Sequence, residues 1–311
     1  MQKNKIEKLL LPLDGSKRSL EMVRHLGAMQ PLQRYRIVLL HVFNSVPECY
    51  WDLGREPKSV KTAVNLKAWE SEQRKIIEAM MNKARLILTQ SGFDEAMVKV
   101  LIRDRKQGIA RDIIKEARNG YAAVMIRRRG SGAIRAMVLG SVATKLIESV
   151  TFAPLLIMGH QRATGRILIA MDSSDGAMRA VDFVADHLGG YDYDVHLLHV
   201  IRGNGEVTTK HPELTTPQEC RQIALDTMQT VFNEARKRLV EGGFSNNQIS
   251  EEIKTNIYSR AAAIAKVAKE GGFDTIVVGR RGVSRPRTFV IGRVSNKAIQ
   301  MARRLGVWII N

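Results

Sequence analysis

The amino-acid sequence contains the same landmarks twice, and this internal repeat limits the fold more than any other feature. One apolar run ends at Asp14 and a second ends at Asp172, and small polar residues follow both aspartates. His41 and His199 each stand near the end of a later apolar run. Both pairs of landmarks are 158 residues apart. Because two landmarks share one offset, the sequence indicates a duplicated structural unit.

The last part of each copy is repeated as well. In each copy an apolar run leads to a glycine, and nine residues separate this glycine from another: Gly130 from Gly140, and Gly282 from Gly292. The corresponding glycines of the two copies are 152 residues apart. The first copy is therefore six residues longer in its middle.

The boundary between the copies is expected in the short polar stretch at residues 160–165, which follows an apolar run. This places one domain at residues 1–160 and another at residues 165–311. A chain of 311 residues agrees with two domains of ordinary size.

Continuous apolar runs alternate with amphipathic segments along both copies. Such runs are typical of strands that are buried on both faces of a parallel sheet. The alternation predicts an α/β fold with two repeated, doubly wound domains of roughly five parallel strands each. In the first copy the predicted strands are Leu9–Leu13, Ile37–Val42, Ala122–Ile126 and Leu155–Met158.

The helices are predicted from their caps and their apolar periodicity. Ser16 or Ser19 caps the helix after the first strand, and a proline in the first turn starts a later helix from Pro217 to about Leu239. A long amphipathic helix covers about Val64–Leu88. Its predicted apolar side consists of Trp69, Ile76, Met80 and Ile87.

The chain is strongly basic. It has 49 lysines and arginines against 31 aspartates and glutamates, a net charge of +18. Residues 1–161 hold 28 of the basic and 15 of the acidic residues. Such a surface attracts polyanions, or it is a solvated basic surface that keeps the protein soluble. Nucleic-acid binding has no further support, because aromatic residues make up only 5% and no recognition motif occurs.

The repeated glycines point to a phosphorylated ligand. In an open parallel sheet, ligands bind beyond the carboxyl ends of the strands, where the strand order reverses. The glycine segment follows a strand and opens a helix at Ser141 or Arg293, so backbone N–H groups there face an anion. Asp14 and Asp172 then either accept hydrogen bonds from a base or sugar, or cap the next helix.

The order of these elements resembles the universal stress protein family. The resemblance is based on the motif Gly-x-x-Gly, followed by nine residues and then Gly-Ser/Thr, downstream of a strand that ends in Asp. It covers nearly the whole chain. It implies a tandem of two five-stranded domains of the adenine nucleotide alpha hydrolase-like fold. It also implies a cytoplasmic protein, and ATP or another adenine nucleotide, with Mg²⁺, as the ligand.

The family's binding positions map onto both copies, with one departure in each. Arg127 replaces the leading glycine of the first copy, and Arg293 stands where the second copy needs Ser or Thr. An arginine adds bulk, but its guanidinium also holds phosphate oxygens in a forked pair of hydrogen bonds. The implied ligand-binding residues are Asp14, Val42, Arg127, Gly130, Gly140, Ser141, Asp172, Val200, Gly279, Gly282, Gly292, Arg293 and Val294.

The sequence predicts a tandem universal stress protein that binds an adenine nucleotide and acts as a sensor or interaction module in the stress response. The alternative is a polyanion-binding or protein-scaffolding module with degenerate nucleotide sites. A weak ATPase is the most that is expected of catalysis, because no P-loop, nucleophile elbow or metal-ligand cluster occurs. His41 and His199 are expected to form local hydrogen bonds and not to be catalytic.

Further expectations concern location and partners. Cys49 and Cys220 form no C-x-x-C pair, and neither a signal sequence nor a membrane-spanning run occurs, so a cytoplasmic protein without membrane contact is expected. The sequence does not decide whether the chain binds protein partners or a second copy of itself. By resemblance to family dimers, the terminal strands Leu155–Met158 and Val307–Ile310 are candidates for the interface between the two domains.

Overall fold

The computed structural model describes residues 6–46, 60–128, 139–159, 164–203, 217–282, 291–302 and 304–311. By contacts, the chain forms two compact units, Met1–Val150 and Thr151–Asn311. None of the helices in the described ranges is both long and apolar enough to cross a membrane.

The first unit contains a parallel sheet with helices between its strands. The strands are β1 (Lys8–Pro12), β2 (Arg36–Phe43), β3 (Val98–Asp104) and β4 (Ala123–Arg127). The helices are α1 (Lys17–Gly27), α2 (Val60–Gln90), α3 (Ile109–Ala117) and α4 (Ser141–Ser149). The strand order is β3-β2-β1-β4, so the chain moves to one side of β1 and then returns to the other.

The second unit repeats this arrangement and adds two strands, β10 and β5, at one edge. Its strands are β5 (Leu155–Met158), β6 (Arg166–Met171), β7 (Asp194–Arg202), β8 (Ile249–Ile257), β9 (Thr275–Gly279) and β10 (Gly306–Ile310). Its helices are α5 (Asp175–Leu188), α6 (Pro217–Glu241), α7 (Arg260–Glu270) and α8 (Arg293–Met301). The order is β5-β10-β9-β6-β7-β8, with β5 antiparallel to β10 and the other pairs parallel.

These elements confirm the predicted α/β class and the two doubly wound repeats. In chain order, β1–β5 belong to the first repeat and β6–β10 to the second, which gives five strands each. The apolar runs are buried on both faces as expected: Leu9, Leu10 and Leu11 of β1 are at most 1% exposed. Contacts place β5 in the second unit, because Ile157 pairs with Val307 of β10. The two predicted terminal strands are thus hydrogen-bonded neighbours.

The predicted apolar side of α2 is wrong by about one residue. The fully buried residues are Met81, Ala84 and Leu88, whereas Ile76 is 50% exposed. Each residue turns an α-helix by about 100°, so a shift of one position moves a side chain to another face. Packing of α2 against α1 and β3 selects the face that is buried.

Candidate functional site

Each unit has one point where the strand order reverses, and the predicted binding residues lie there. In the first unit it lies between β1 and β4, and in the second between β6 and β9. We call the carboxyl ends of these strand pairs, with the segments that follow them, the first crevice and the second crevice. Gly130 lies outside the described residues.

A serine, and not the aspartate, caps the helix that follows the first strand. Ser16 is the N-cap of α1, and its Oγ accepts a hydrogen bond from the Ser19 amide at 3.2 Å. Asp14 Oδ1 in turn accepts from the Ser16 amide at 3.0 Å and from the Ser16 hydroxyl at 2.7 Å. The expectation that Asp14 itself is the cap is therefore wrong, because its carboxylate holds the capping serine.

The second crevice has the same turn. Ser174 caps α5 by accepting from the Ala177 amide at 3.3 Å. Asp172 Oδ1 accepts from the Ser174 amide at 3.1 Å and from its hydroxyl. One carboxylate oxygen is thus used in the same way at both strand ends.

Two histidines, His41, which is buried, and His199, which is half-buried, hold the chain just before these aspartates. His41 Nδ1 lies 2.8 Å from the Leu13 carbonyl oxygen, and His199 Nδ1 lies 2.7 Å from that of Met171. Because a carbonyl only accepts, Nδ1 carries the hydrogen in both rings. Burial lowers the pKa of both imidazoles, so they are neutral at pH 7. The predicted local hydrogen bonding is confirmed.

The glycine segments return to the strands from which they leave. The Gly140 amide donates to the Arg128 carbonyl at 2.9 Å, and the Gly292 amide donates to the Arg280 carbonyl at 2.8 Å. Both glycines are N-caps without a side-chain hydrogen bond, and α4 and α8 begin immediately after them, as predicted. A helix that begins without a side-chain cap is the arrangement in which backbone amides can bind an anion.

Glycines bring the second crevice close together. A Cβ on Gly279 would lie 2.6 Å from the carbonyl carbon of Gly176, near the start of α5. A Cβ on Gly176 would in turn meet the Arg281 carbonyl oxygen, and one on Gly282 would meet Asp172 Oδ2. The glycine segment therefore lies directly against α5 and the Asp172 carboxylate.

The hydroxyl chemistry of the two crevices differs. Ser295 of α8 is buried, and its Oγ donates to the Gly279 carbonyl at 2.9 Å, so it serves the backbone. Arg293, at the start of that helix, is exposed, and Val294 is half-buried. In the first crevice the exposed residue at the start of α4 is Ser141.

Arg127 ends β4, where the second unit has Gly279. Its side chain is 15% exposed, and its Nη2 lies 3.5 Å from Glu21 Oε2 on α1. Its Nη1 is buried and has no hydrogen-bond partner among the described residues. Burial lowers the pKa of the guanidinium, against the attraction of Glu21 and Asp14. At neutral pH the group stays charged.

The strands next to β1 and β6 supply Val42 and Val200, both buried. Sequence reasoning missed a side chain here: Arg260, the first residue of α7, donates from Nε to the Val200 carbonyl at 3.2 Å. The first unit has Ile109 at the start of the equivalent helix. A contact across 60 residues leaves no local pattern, so nothing in the sequence signalled it.

Arg280, which directly follows β9, is almost completely buried. Its Nε donates to Asn311 Oδ1, and burial together with Arg281 lowers its pKa to about 10. Of the other arginines that follow β9, Arg285 and Arg287 lie outside the described residues. In the part of the chain that the structure describes, no three His, Cys, Asp or Glu side chains form a group able to hold a metal ion.

The chain is similar to proteins of known family along its whole length. A universal stress protein of Mycolicibacterium smegmatis is 22% identical over 298 residues, which cover 94% of either chain. Universal stress protein YxiE of Bacillus subtilis is 28% identical over 144 residues, 44% of this chain and 93% of its own. The crystal structure of a universal stress protein from Archaeoglobus fulgidus has the same fold, with a TM-score of 0.63 at 20% identity and 99% coverage of both chains.

The model of the universal stress protein family matches the chain twice, at residues 5–158 and at residues 163–304. The two matches coincide with the two repeats of strands and helices. The chain belongs to the universal stress protein family, as a tandem member with two copies of its domain.

Proposed function

We propose that the protein is an adenine-nucleotide-binding sensor or interaction module of the stress response, with ATP as its ligand. The observation that carries the proposal is the pairing, in each repeat, of an aspartate turn with uncapped helix amides at the point where the strand order reverses. Amides suit phosphate, and a carboxylate suits a base or a sugar hydroxyl. The repeats at residues 1–160 and 165–311 are proposed as the binding units, in a cytoplasmic protein.

The proposed roles follow from these positions. Asp14 and Asp172 accept hydrogen bonds from the base or the ribose, and the backbone beside Val42 and Val200 borders the base. The segments around Gly140 and Gly292 bind the phosphates. Mg²⁺ enters with the triphosphate as its counterion. No residue is proposed as a catalyst, since the proposed role is binding.

The first experiment asks whether the protein holds a nucleotide. Purified protein is denatured, and the released small molecules are identified by mass spectrometry. In parallel, the thermal midpoint is measured with ATP, ADP and AMP. A ligand present at 100 times its Kd stabilises a folded protein by about 2.7 kcal/mol, so we expect ATP to raise the midpoint by several degrees.

The matched variant is Gly282→Arg. Any side chain at this position meets the Asp172 carboxylate, so the variant lowers the ATP-dependent rise. Its own midpoint without ligand provides the control for folding. If the folded wild-type protein shows no rise with any adenine nucleotide, the proposal fails, and the alternative of a polyanion-binding or scaffolding module is favoured. That alternative predicts binding that falls steeply with salt and shows no preference for a base.

A further inference from the structure

Three polar side chains of the second repeat meet on one face of the sheet, near the amino ends of its strands. His196 of β7 is paired in register with Ser250 of β8, and Glu252 lies two residues further along β8. His196 Nδ1 lies 2.8 Å from the Ser250 hydroxyl oxygen, and its Nε2 lies 3.6 Å from Glu252 Oε2. An imidazole therefore stands between a hydroxyl and a carboxylate. Both crevices lie at the opposite, carboxyl ends of the strands.

The carboxylate determines which ring nitrogen of His196 carries the hydrogen. A carboxylate only accepts, so Glu252 favours the hydrogen on Nε2. Nδ1 then has a free lone pair, and the Ser250 hydroxyl donates to it. Lys254 Nζ lies 2.7 Å from Glu252 Oε1 and so holds the carboxylate by its other oxygen. This is the arrangement of a serine beside its general base, with the base oriented by a third group.

The imidazole is shielded from water and stays neutral. The His196 side chain is 14% exposed and packs against Phe273, with 5.3 Å between the ring centroids. Burial lowers the pKa of His196, against the attraction of the Glu252 carboxylate. Arg166 and Lys254, the cations that act on the ring, lower this pKa further. At pH 7 the ring is therefore neutral and able to take a proton.

The first repeat builds the same part of its sheet without these polar groups. In the matching register of β2 and β3, the three positions are occupied by Val38, Lys99 and Leu101. Val38 is buried where the second repeat has the imidazole. Since the fold forms with an aliphatic residue at this position, the stability of the sheet does not explain the cluster.

We propose that Ser250 is a nucleophilic serine that accepts acyl groups from activated carboxylic esters, with His196 as its base. Ser250 is exposed, and among the described strands β8 is the last in the sheet order, so an ester reaches the hydroxyl. The Ser250 oxygen attacks the ester carbonyl carbon while its proton moves to His196 Nδ1. The bond to the alcohol oxygen then breaks, and the leaving alcohol takes the proton from Nδ1. Glu252 is a positioning residue, which orients the ring and stabilises the imidazolium.

The test measures acylation of the full chain by p-nitrophenyl acetate. An ester with such a good leaving group is required because we assign no donor to the developing oxyanion. Release of p-nitrophenolate gives the overall rate, and mass spectrometry of peptides shows which residues carry the acetyl group. Ser71, an exposed serine of α2, is the internal reference. Ser250 should be acetylated about a hundredfold faster than Ser71 or more, because only Ser250 has a positioned base.

Variants separate the base from the positioning residue. His196→Gln should slow acetylation of Ser250 about a hundredfold or more, to the level of Ser71. Glu252→Gln should lower the pH at which the rate reaches half its plateau, since the carboxylate raises the pKa of His196. Glu252→Asp, which keeps the charge, should return this midpoint towards that of wild type.

The matched control is His187→Gln, which removes another half-buried imidazole of the same unit, on α5. It should leave the acetylation rate of Ser250 within about twofold of wild type, because His187 is not placed to take the serine proton.

Two results with folded protein overturn the inference: Ser250 reacts no faster than Ser71, or it reacts equally fast in wild type and in His196→Gln. If the variants do not fold, the pH profile of the wild-type protein decides. The rate should rise with pH and level off above the pKa of His196. A rate that continues to rise about tenfold per pH unit also overturns the inference, because hydroxide and not the imidazole is then the base.

Discussion

The two crevices share one backbone arrangement. They differ in the residue that ends the strand beside the aspartate. Both contain an aspartate that holds a capping serine, a histidine bonded to the preceding carbonyl, and a glycine segment tied back to its strand. The second crevice ends its strand with Gly279, and the first ends its strand with Arg127. The comparison separates the framework, which both repeats keep, from the surface, in which they differ.

The described residues of the second crevice lie in close contact with one another. Gly176 and Gly279 allow backbone to pack on backbone, Gly282 lies on Asp172, and Arg260 holds the Val200 carbonyl. In the described part of the first crevice, Arg127 Nη2 lies 3.5 Å from Glu21 Oε2 on α1, and its Nη1 has no hydrogen-bond partner. The two repeats therefore keep one framework, and their described residues differ in how closely they pack at the end of the strand beside the aspartate.

The largest expected effect comes from making the second crevice like the first. Gly279→Arg puts a Cβ 2.6 Å from the Gly176 carbonyl carbon and 3.1 Å from the Ala177 amide nitrogen, both of which are backbone atoms that cannot rotate away. We expect a loss of about 2–4 kcal/mol in the free energy of unfolding, measured by urea denaturation.

The reverse change is the control for this variant. Arg127→Gly removes a side chain that has one weak ion pair, so it should cost about 1 kcal/mol or less. Equal losses for both variants would contradict the view that glycine is required for packing only in the second crevice.

A smaller and equal effect is expected in the shared framework. Ser16→Ala and Ser174→Ala each remove the N-cap of one helix and the hydroxyl that donates to the aspartate. Loss of an N-cap costs about 1 kcal/mol. Both variants should therefore lower the free energy of unfolding by about this amount. A clear difference between them would show that the two turns are not equivalent in energy.

The sequence was sufficient for the framework because that information is local. Repeated landmarks, continuous apolar runs and glycines before helices all act within a few residues, and they correctly predicted the strands and the starts of α4 and α8. The starts of these helices depend on Gly140 and Gly292, whose position in the chain is enough to identify them. The fold class follows from the same signals.

What the sequence did not predict depends on contacts between distant segments. The buried side of α2 is chosen by its neighbours, which is why Ile76 was misplaced. Gly279 suggests a close approach of phosphate, but its open side faces the backbone of α5. Arg260 reaches a carbonyl 60 residues away. These contacts join segments that are far apart in the chain, so neither composition nor residue spacing predicts them.

The smallest expected effect is a pH dependence that both repeats share. Burial lowers the pKa of His41 and His199 below the value of 6.5 for an exposed imidazole, so the folded protein binds fewer protons than the unfolded chain below that pH. Their contribution to stability is complete above pH 6.5 and is lost progressively as the pH falls toward the lower, folded pKa.

His41→Gln and His199→Gln test this dependence when the free energy of unfolding is measured at pH 7.5 and at pH 5.5. Each variant should lose less stability over this interval than wild type, because one buried imidazole no longer has to be protonated. His196, whose pKa burial also lowers, remains in both variants and maintains a residual dependence. If the two repeats are equivalent in their framework, the two variants change the pH slope by the same amount. If the pH slope changes in only one of the two variants, the repeats differ in their buried strand ends as well as in the exposed crevice.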